Sequence, residues 1–293
     1  LGKGTWTILK LIRWATERFQ QEGLETPRLD AEVLLGEALN ADRVFLYTHF
    51  DQPLQPQELE RFRSFLLRRL RREPVAYIIG EKDFWSRSFK VTPDVLIPRP
   101  ETEILVAEAL KIYEEMNHGF QEQFHILEIG TGSGVIGVTL AKEIPKALIL
   151  ATDVCERALR IAEENARRHE VKDRIQFLLG DLFNPIPKGM AFDMIVTNPP
   201  YVPREQLSFL MPEVRDYEPH QALDGGDQGL DFYRQVFPRI GEFLKSGGWF
   251  VGEIGKDQKD AVKALAEAES NLDSIGFIKD FQGIDRVCRV RKK

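Results

Sequence analysis

Cysteine is scarce in this chain. Cys155 and Cys288 are the only two in 293 residues, no CxxC pair occurs, and the five histidines do not cluster. That composition argues against a disulfide framework or a Cys/His metal site, and two buried or partly buried thiols in a reducing cytosol are expected. A surplus of positive charge is also missing: 40 Lys and Arg stand against 46 Asp and Glu, a net charge of −6 with a pI near 5.6. A surface that grips a phosphate backbone as a whole is therefore not expected. No apolar run approaches the roughly 18 residues of a membrane span. Near the start, Lys10, Arg13, Glu17 and Arg18 interrupt what would have to be a signal-peptide core. Internal repeats and low-complexity tracts are absent too. What remains, 43% hydrophobic and 29% charged residues, is the composition of a soluble globular protein with about two domains' worth of chain.

The first 73 residues read as helices. Ile8, Ile12, Ala15 and Phe19 recur at helical spacing, Thr26-Pro27 is a helix start, and Leu34, Leu35, Ala38 and Leu39 share a face. A third long helix carries Leu59, Phe62, Leu66 and Leu70. This bundle holds twelve basic and eleven acidic residues, with Arg61, Arg63, Arg68, Arg69, Arg71 and Arg72 bunched at its end. They suit either a solvated helix face or a docking surface for an acidic or RNA-associated partner. Residues 74–98 change character. Tyr77-Ile78-Ile79, Phe84-Trp85 and Phe89-Lys90-Val91 are β-prone, separated by Gly80 and Ser86-Arg87-Ser88, and predict a hairpin linker. Pro93, Pro98 and Pro100 stiffen its exit, and a helix follows from about Glu101 to Asn117.

In residues 99–293, strands alternate with helices. Strands are predicted at His125–Ile129, Leu148–Thr152, Ile175–Leu179, Met194–Thr197 and Trp249–Ile254, with two closing strands at Gly276–Phe281 and Arg286–Val290. Helices are predicted at Gly134–Ile144, Glu156–His169 and Gly229–Leu244. The pattern implies an α/β fold with a doubly wound, mostly parallel sheet. Tyr201–Gln228 is a long irregular stretch of the kind that usually carries function.

Two constellations carry chemistry. The first strand runs into Gly130-Thr131-Gly132-Ser133-Gly134, which opens a helix. Glycines there let the chain turn sharply and let a ligand come close to the helix start. The dinucleotide spacing G-x-G-x-x-G is not met, because Val135 stands where its last glycine belongs. Asp153, at the end of the second strand, is placed to take both hydroxyls of a ribose. Asp181, after the third strand, is either a base-reading residue or a plain turn aspartate. The fourth strand runs straight into Asn198-Pro199-Pro200-Tyr201. Prolines end the strand, and the stiff corner presents the Asn198 amide oxygen and the Pro199 carbonyl as two acceptors. Together they can hold both hydrogens of a planar –NH2 group, while Tyr201 offers a flat face that favours a cation. Such a site works by positioning and electrostatics rather than by a strong base. A nucleoside pocket beside an amine clamp points to S-adenosylmethionine as methyl donor.

Here the chain resembles the release factor glutamine methyltransferase (HemK-type) family of class I methyltransferases. The resemblance spans nearly the whole chain and rests on Ile97-Pro98-Arg99-Pro100-Glu101-Thr102-Glu103, on Gly130 to Gly134 and on Asn198 to Tyr201. Pro212-Glu213-Val214-Arg215-Asp216-Tyr217-Glu218-Pro219 and Ala222-Leu223-Asp224-Gly225-Gly226 are also family-like, whereas Gln228 stands where an acid is expected before Gly229. The resemblance implies a Rossmann-like sheet with an antiparallel final strand, an N-terminal all-α bundle (residues 1–73) that binds the release factor, a β-hairpin linker (74–98) and a catalytic domain (99–293). It implies transfer of a methyl group to the glutamine amide of the Gly-Gly-Gln tripeptide of class I peptide chain release factors. Gly130, Thr131, Gly132, Ser133, Gly134, Asp153 and Asn198 would hold the cofactor, with Asp181 and Leu182 beside adenine. Asn198, Pro199, Pro200 and Tyr201 would grip glutamine, with Asn198, Pro199 and Tyr201 as the catalytic set. The family often has an aromatic residue where Leu182 stands. A cytoplasmic monomer without direct nucleic-acid contact is expected. Glutamine methylation of a large-ribosomal-subunit protein is the nearest rival. Adenine-N6 methylation is more remote, because residues 74–293 carry 28 basic against 35 acidic residues.

Overall fold

A computed structural model describes residues 5–116 and 123–293. Asn117, the expected end of the helix that begins near Glu101, lies outside the described residues. The chain divides into two compact units, Leu1–Glu81 with Met211–Tyr217, and Lys82–Leu210 with Glu218–Lys293.

The first unit is built from α1 (Ile8–Gln21), α2 (Pro27–Leu39), α3 (Arg43–Thr48), α4 (Pro56–Leu70) and α5 (Val75–Ile79). The Thr7 side chain caps α1, Pro27 opens α2, and a Gln55/Glu58 capping box opens α4, each satisfying or sparing a free backbone N–H. Ile8, Leu11, Ala15, Phe19, Leu34, Leu35 and Phe62 are buried together at the centre. The Asp42 cap on the Phe45 N–H, at 2.7 Å, explains α3, which apolar periodicity did not predict. Tyr77-Ile78-Ile79 is a correction: these residues form α5, not a strand. Pro74 precedes the turn and Gly80 ends it at φ +84°, and Tyr77 and Ile78 are buried. A short apolar run cannot be told from a buried helical turn by periodicity alone.

The second unit opens with a two-stranded hairpin, β1 (Glu81–Phe84) and β2 (Arg87–Lys90). Its turn is Trp85-Ser86, both at positive φ (52° and 57°), rather than the Ser86-Arg87-Ser88 spacer expected from composition. Two left-handed residues are what a two-residue hairpin loop demands. There follow α6 (Thr102–Glu115), β3 (Phe124–Ile129), α7 (Val135–Glu143), β4 (Ala147–Asp153), α8 (Glu156–Arg168), β5 (Ile175–Leu179) and β6 (Phe192–Thr197). After α9 (Pro212–Arg215), a one-turn helix of the first unit, come α10 (Asp231–Phe243), β7 (Leu244–Glu253), α11 (Lys259–Glu267), β8 (Leu272–Lys279) and β9 (Asp285–Lys292). The expected strand at Trp249–Ile254 starts earlier, the expected strand at Gly276–Phe281 runs instead over Leu272–Lys279 and leaves Asp280 and Phe281 outside it, and the last strand extends beyond Arg286–Val290 at both ends. The order β5-β4-β3-β6-β7-β9-β8 is parallel from β5 to β7, with β9 antiparallel to both neighbours. Strand order reverses between β3 and β6. Ligands in such sheets bind beyond the carboxyl ends of the strands at that reversal. Apolar clusters line both faces of the sheet, so its central strands are buried on two sides.

The segment Met211–Tyr217 belongs to the first unit. There Glu213 receives Arg69, which also pairs with Asp30 at 2.7 Å. Most of the basic run at the end of α4 is engaged in the same way: Arg61 with Glu37, Arg68 with Glu73 and Arg72 with Glu213.

Candidate active site

A cavity of about 430 Å³ opens at the reversal point of the sheet, within the usual range for small-molecule sites. Its wall brings together Gly130, Thr131, Gly132, Ser133, Asp153, Asp181, Leu182, Asn198, Pro199 and Pro200, which are scattered over 70 residues of sequence. Gly134 and Tyr201 are the two expected site residues outside that wall.

The glycine loop is shaped from below. Glu128 is buried at the end of β3; its Oε2 accepts the Thr131 hydroxyl at 2.8 Å. A Cβ on Gly137 would lie 2.4 Å from that oxygen, so only glycine lets the carboxylate lie against α7. Burial pushes the Glu128 carboxyl up to about 7. Asn165, fully buried on α8, donates to the Ser133 carbonyl at 2.8 Å and to the Lys90 carbonyl at 3.0 Å. It thus ties the loop to β2. Gly130 and Gly132 sit at positive φ (72° and 54°), and a Cβ on either would meet open space. Gly134 instead packs on Ala162, 3.0 Å from its would-be Cβ, and caps α7. The loop therefore divides into two open glycines at the cavity and one that sets helix packing.

Asp153 ends β4. It accepts the Gly132 N–H at 2.8 Å and the Cys155 N–H at 2.9 Å. Burial pushes it up, while these backbone donors hold it down. Each oxygen retains a lone pair for a ligand hydroxyl. Leu182 stands at φ +47°, a left-handed conformation that is costly for leucine. The neighbouring aromatic, Phe183, is turned into the core and stacked on Phe243 at 4.4 Å. It does not replace the aromatic missing at 182.

Asn198 leaves β6 as the chain departs from the sheet. Its Nδ2 donates to the Thr102 hydroxyl at 3.0 Å, and its Oδ1 is buried with no partner. Such an orphan acceptor is expensive unless a ligand satisfies it. The Thr102 hydroxyl in turn donates to Glu253 Oε2 at 2.7 Å. Tyr201, outside the cavity wall, donates its hydroxyl to Glu253 Oε1 at 3.1 Å. Burial beside this acid pushes the phenol well above its ordinary range.

The corner is braced by glycines and one amide. A Cβ on Gly225 would meet the Pro200 carbonyl at 2.8 Å, and one on Gly229 the Tyr201 carbonyl at 2.1 Å. Gln258 donates to the carbonyls of Tyr201 and Gly229 at 2.9 and 3.0 Å. Gln228, where an acid was expected, accepts from Arg234, and Asp227 pairs with Arg204 at 3.4 Å.

Comparison with known proteins decides the family. Family descriptions match at residues 10–80 ("PrmC N-terminal domain") and 109–212 ("Methyltransferase small domain"). A release factor glutamine methyltransferase of Geobacter sulfurreducens is 43% identical over 282 residues, 96% of this chain and 95% of that protein. One of Koribacter versatilis is 39% identical over 98% of this chain and 99% of that protein. The chain belongs to the release factor glutamine methyltransferase family. A methyltransferase of Pyrococcus furiosus shares the fold, with TM-score 0.51 and 18% identity over 72% of this chain and 91% of that one.

The motifs of this family are now seen to be structural couplings. In Pro98-Arg99-Pro100-Glu101-Thr102-Glu103, Arg99 pairs with the buried Glu218 at 2.6 Å, Thr102 links Asn198 to Glu253, and Glu103 accepts the Trp85 N–H at 2.7 Å. S-Adenosylmethionine, the family's cofactor, fits what is present. Two glycines with open space where a side chain would stand, an acid with spare lone pairs and an unpartnered amide oxygen converge on one cavity. Glu128, Asn165, Glu253 and Gln258 are the contributors not singled out in sequence, and Thr102 was named there only as part of the Ile97–Glu103 motif. For Glu253 the signal was a carboxylate ending the apolar run Trp249-Phe250-Val251-Gly252-Glu253-Ile254, since acids are rarely buried without a partner.

Proposed function

We infer that this protein transfers a methyl group from S-adenosylmethionine to the side-chain amide nitrogen of the glutamine in the Gly-Gly-Gln motif of class I peptide chain release factors, giving N5-methylglutamine. Near full-length similarity to release factor glutamine methyltransferases supports the substrate. The observation that carries the chemistry is the buried, unpartnered Oδ1 of Asn198 at the cavity wall.

When bound, S-adenosylmethionine supplies a methyl group on a positively charged sulfur. Gly130 to Ser133 would cradle it, Asp153 would take the ribose hydroxyls, and Asp181 and Leu182 would lie beside the adenine. Asn198 Oδ1 and the Pro199 carbonyl would accept the two hydrogens of the glutamine –NH2 and so orient its nitrogen for attack on the donated methyl group. The same oxygens favour the positive charge that develops on nitrogen before it loses a proton. Tyr201 acts through Glu253 in bracing the corner. We assign release-factor recognition to residues 1–73, joined by the linker 74–98 to the methyltransferase domain 99–293. We further propose a cytoplasmic monomer whose partner is the release factor itself and not nucleic acid. The acidic composition of the catalytic part supports that reading, and among the described residues no helix is long and apolar enough to cross a membrane.

The test is methyl transfer with a release factor, a large-ribosomal-subunit protein and DNA side by side. Mass spectrometry is expected to find one added methyl on the Gly-Gly-Gln glutamine alone. Transfer to either competitor instead overturns the assignment.

A further inference from the structure

An amide side chain has two nearly isosteric ends, and only one is useful in the clamp. Oδ1 accepts a hydrogen from the substrate –NH2, whereas Nδ2 would set donor against donor. Something must hold Asn198 the right way round. Its Nδ2 meets the Thr102 hydroxyl at 3.0 Å, but a hydroxyl both donates and accepts, so Thr102 alone does not choose. The choice is made one bond further on. Thr102 has a single hydrogen, and it is given to Glu253 Oε2 at 2.7 Å. An ionised carboxylate only accepts, so Thr102 has nothing but lone pairs left for Asn198, and only Nδ2 can face it.

We propose that Glu253 is a positioning residue which, acting through Thr102, fixes the orientation of the Asn198 amide so that Oδ1 faces the substrate nitrogen. This rests on the reading of Asn198 as the amide clamp. Every group in the chain comes from a different element. Glu253 ends β7, Thr102 opens α6 and Asn198 follows β6, so the arrangement records the register of two sheet strands and one helix. Tyr201 donates to the other carboxylate oxygen at 3.1 Å, and Tyr233 of α10 donates to the Glu253 backbone carbonyl. Glu253 is 1% exposed. Of the nearby charges, Arg286 favours its ionised form and Glu101 opposes it, and burial pushes its carboxyl up to about 7. Protonation frees Thr102 from its obligation to donate to Glu253 and lets the Asn198 amide reverse. Turnover is therefore coupled to the charge on a residue that touches no substrate.

The experiment measures kcat, KM for release factor and cofactor affinity from pH 5.5 to 8.5 in the full chain and three variants. Wild type is expected to lose turnover as pH falls through about 7, with KM little changed because most of the substrate binds elsewhere. Thr102→Val should lower kcat roughly 10- to 100-fold, the scale of a misplaced reacting group, with the cofactor dissociation constant within about twofold. Thr102→Ser should restore turnover, since it keeps the hydroxyl. Glu253→Gln should lower kcat and flatten its pH profile, because a neutral amide neither compels Thr102 nor titrates. A Thr102→Val enzyme with unchanged kcat, or a Glu253→Gln enzyme that keeps the wild-type profile, overturns the proposal. So does a wild-type kcat that is flat across this range, a result that depends on no variant folding. In each case wild-type transfer to the release factor leaves the proposed function standing, whereas no transfer by wild type defeats the function itself.

Discussion

Asn198 and Asp153 share a cavity wall, and the proposed function gives them different partners. On the proposed function, the unpartnered oxygen of Asn198 takes the substrate nitrogen, and Asn198→Ala should then reduce turnover by about 100-fold or more. Cofactor affinity, measured by calorimetry, should change less than about twofold in this variant. An equal loss of both would show that the amide serves the cofactor instead. Asp153 holds the loop through the Gly132 N–H and has lone pairs left for two ribose hydroxyls. Asp153→Ala should therefore weaken cofactor binding by roughly 10- to 100-fold, the scale of hydrogen bonds to a charged group. An unchanged dissociation constant would remove the ribose role. Leu182 shows the opposite economy: a leucine at φ +47° holds strain at the cavity wall without the ring that stacks best on a base.

At the scale of elements, the site is a set of chain corners kept apart by strands and pinned by glycines. The turn after β6 is rigid because two prolines fix its backbone and because Gly225 and Gly229 let another loop press on it. Gly229 stands at φ +71°, with the Tyr201 carbonyl 2.1 Å from any Cβ placed there. Gly229→Ala should cost on the order of 1–3 kcal/mol of stability from strained backbone, read as a shift in urea midpoint. Turnover should fall in the same variant, because relief of the clash moves the Tyr201 carbonyl and with it the clamp. A variant with wild-type stability and turnover would show that the corner tolerates displacement. Asn165 does comparable work on the other side, where one buried amide joins α8, β2 and the glycine loop.

For the molecule as a whole, buried acids make stability depend on pH in an unusual direction. Glu128 and Glu253 are both pushed up to about 7 by burial, above the ordinary value of about 4.3. Between those values the folded state binds more protons than the unfolded one, so their contribution is full below the ordinary value and is lost as pH rises through about 7. Asp153 is raised in the same sense. His169 works against them, since burial lowers it and its ionisation in the unfolded chain makes stability rise with pH near 6.5. Acids held low, such as Glu32, Asp224 and Asp280, are charged in both states above about pH 5 and are silent there. The unfolding free energy from urea titrations should therefore fall between pH 5 and 8, by an amount on the order of a few kcal/mol. The slope should flatten when Glu128 and Glu253 are both replaced by Gln. A midpoint that rises over this range would show that His169 or the surface charges dominate.

Local chemistry by itself determined the alternation of strands and helices, the corner at Asn198-Pro199-Pro200-Tyr201, the glycine loop and the acid that follows it. Each of these is a constraint on backbone torsion or hydrophobic period, and such constraints are written within a few neighbouring residues. The nature of Tyr77-Ile78-Ile79 was not, because a short run of consecutive apolar or aromatic residues suits a buried strand or a buried helix equally until packing decides. Nor was the partner of the Tyr201 hydroxyl, which is Glu253, 52 residues further along the chain. Only the tertiary structure brought Thr102, Asn198 and Glu253 into one hydrogen-bonded line across 151 residues of chain. The physical reason is range: a hydrogen bond is made within about 3 Å, and which distant residues come that close depends on strand order and register, not on any local pattern.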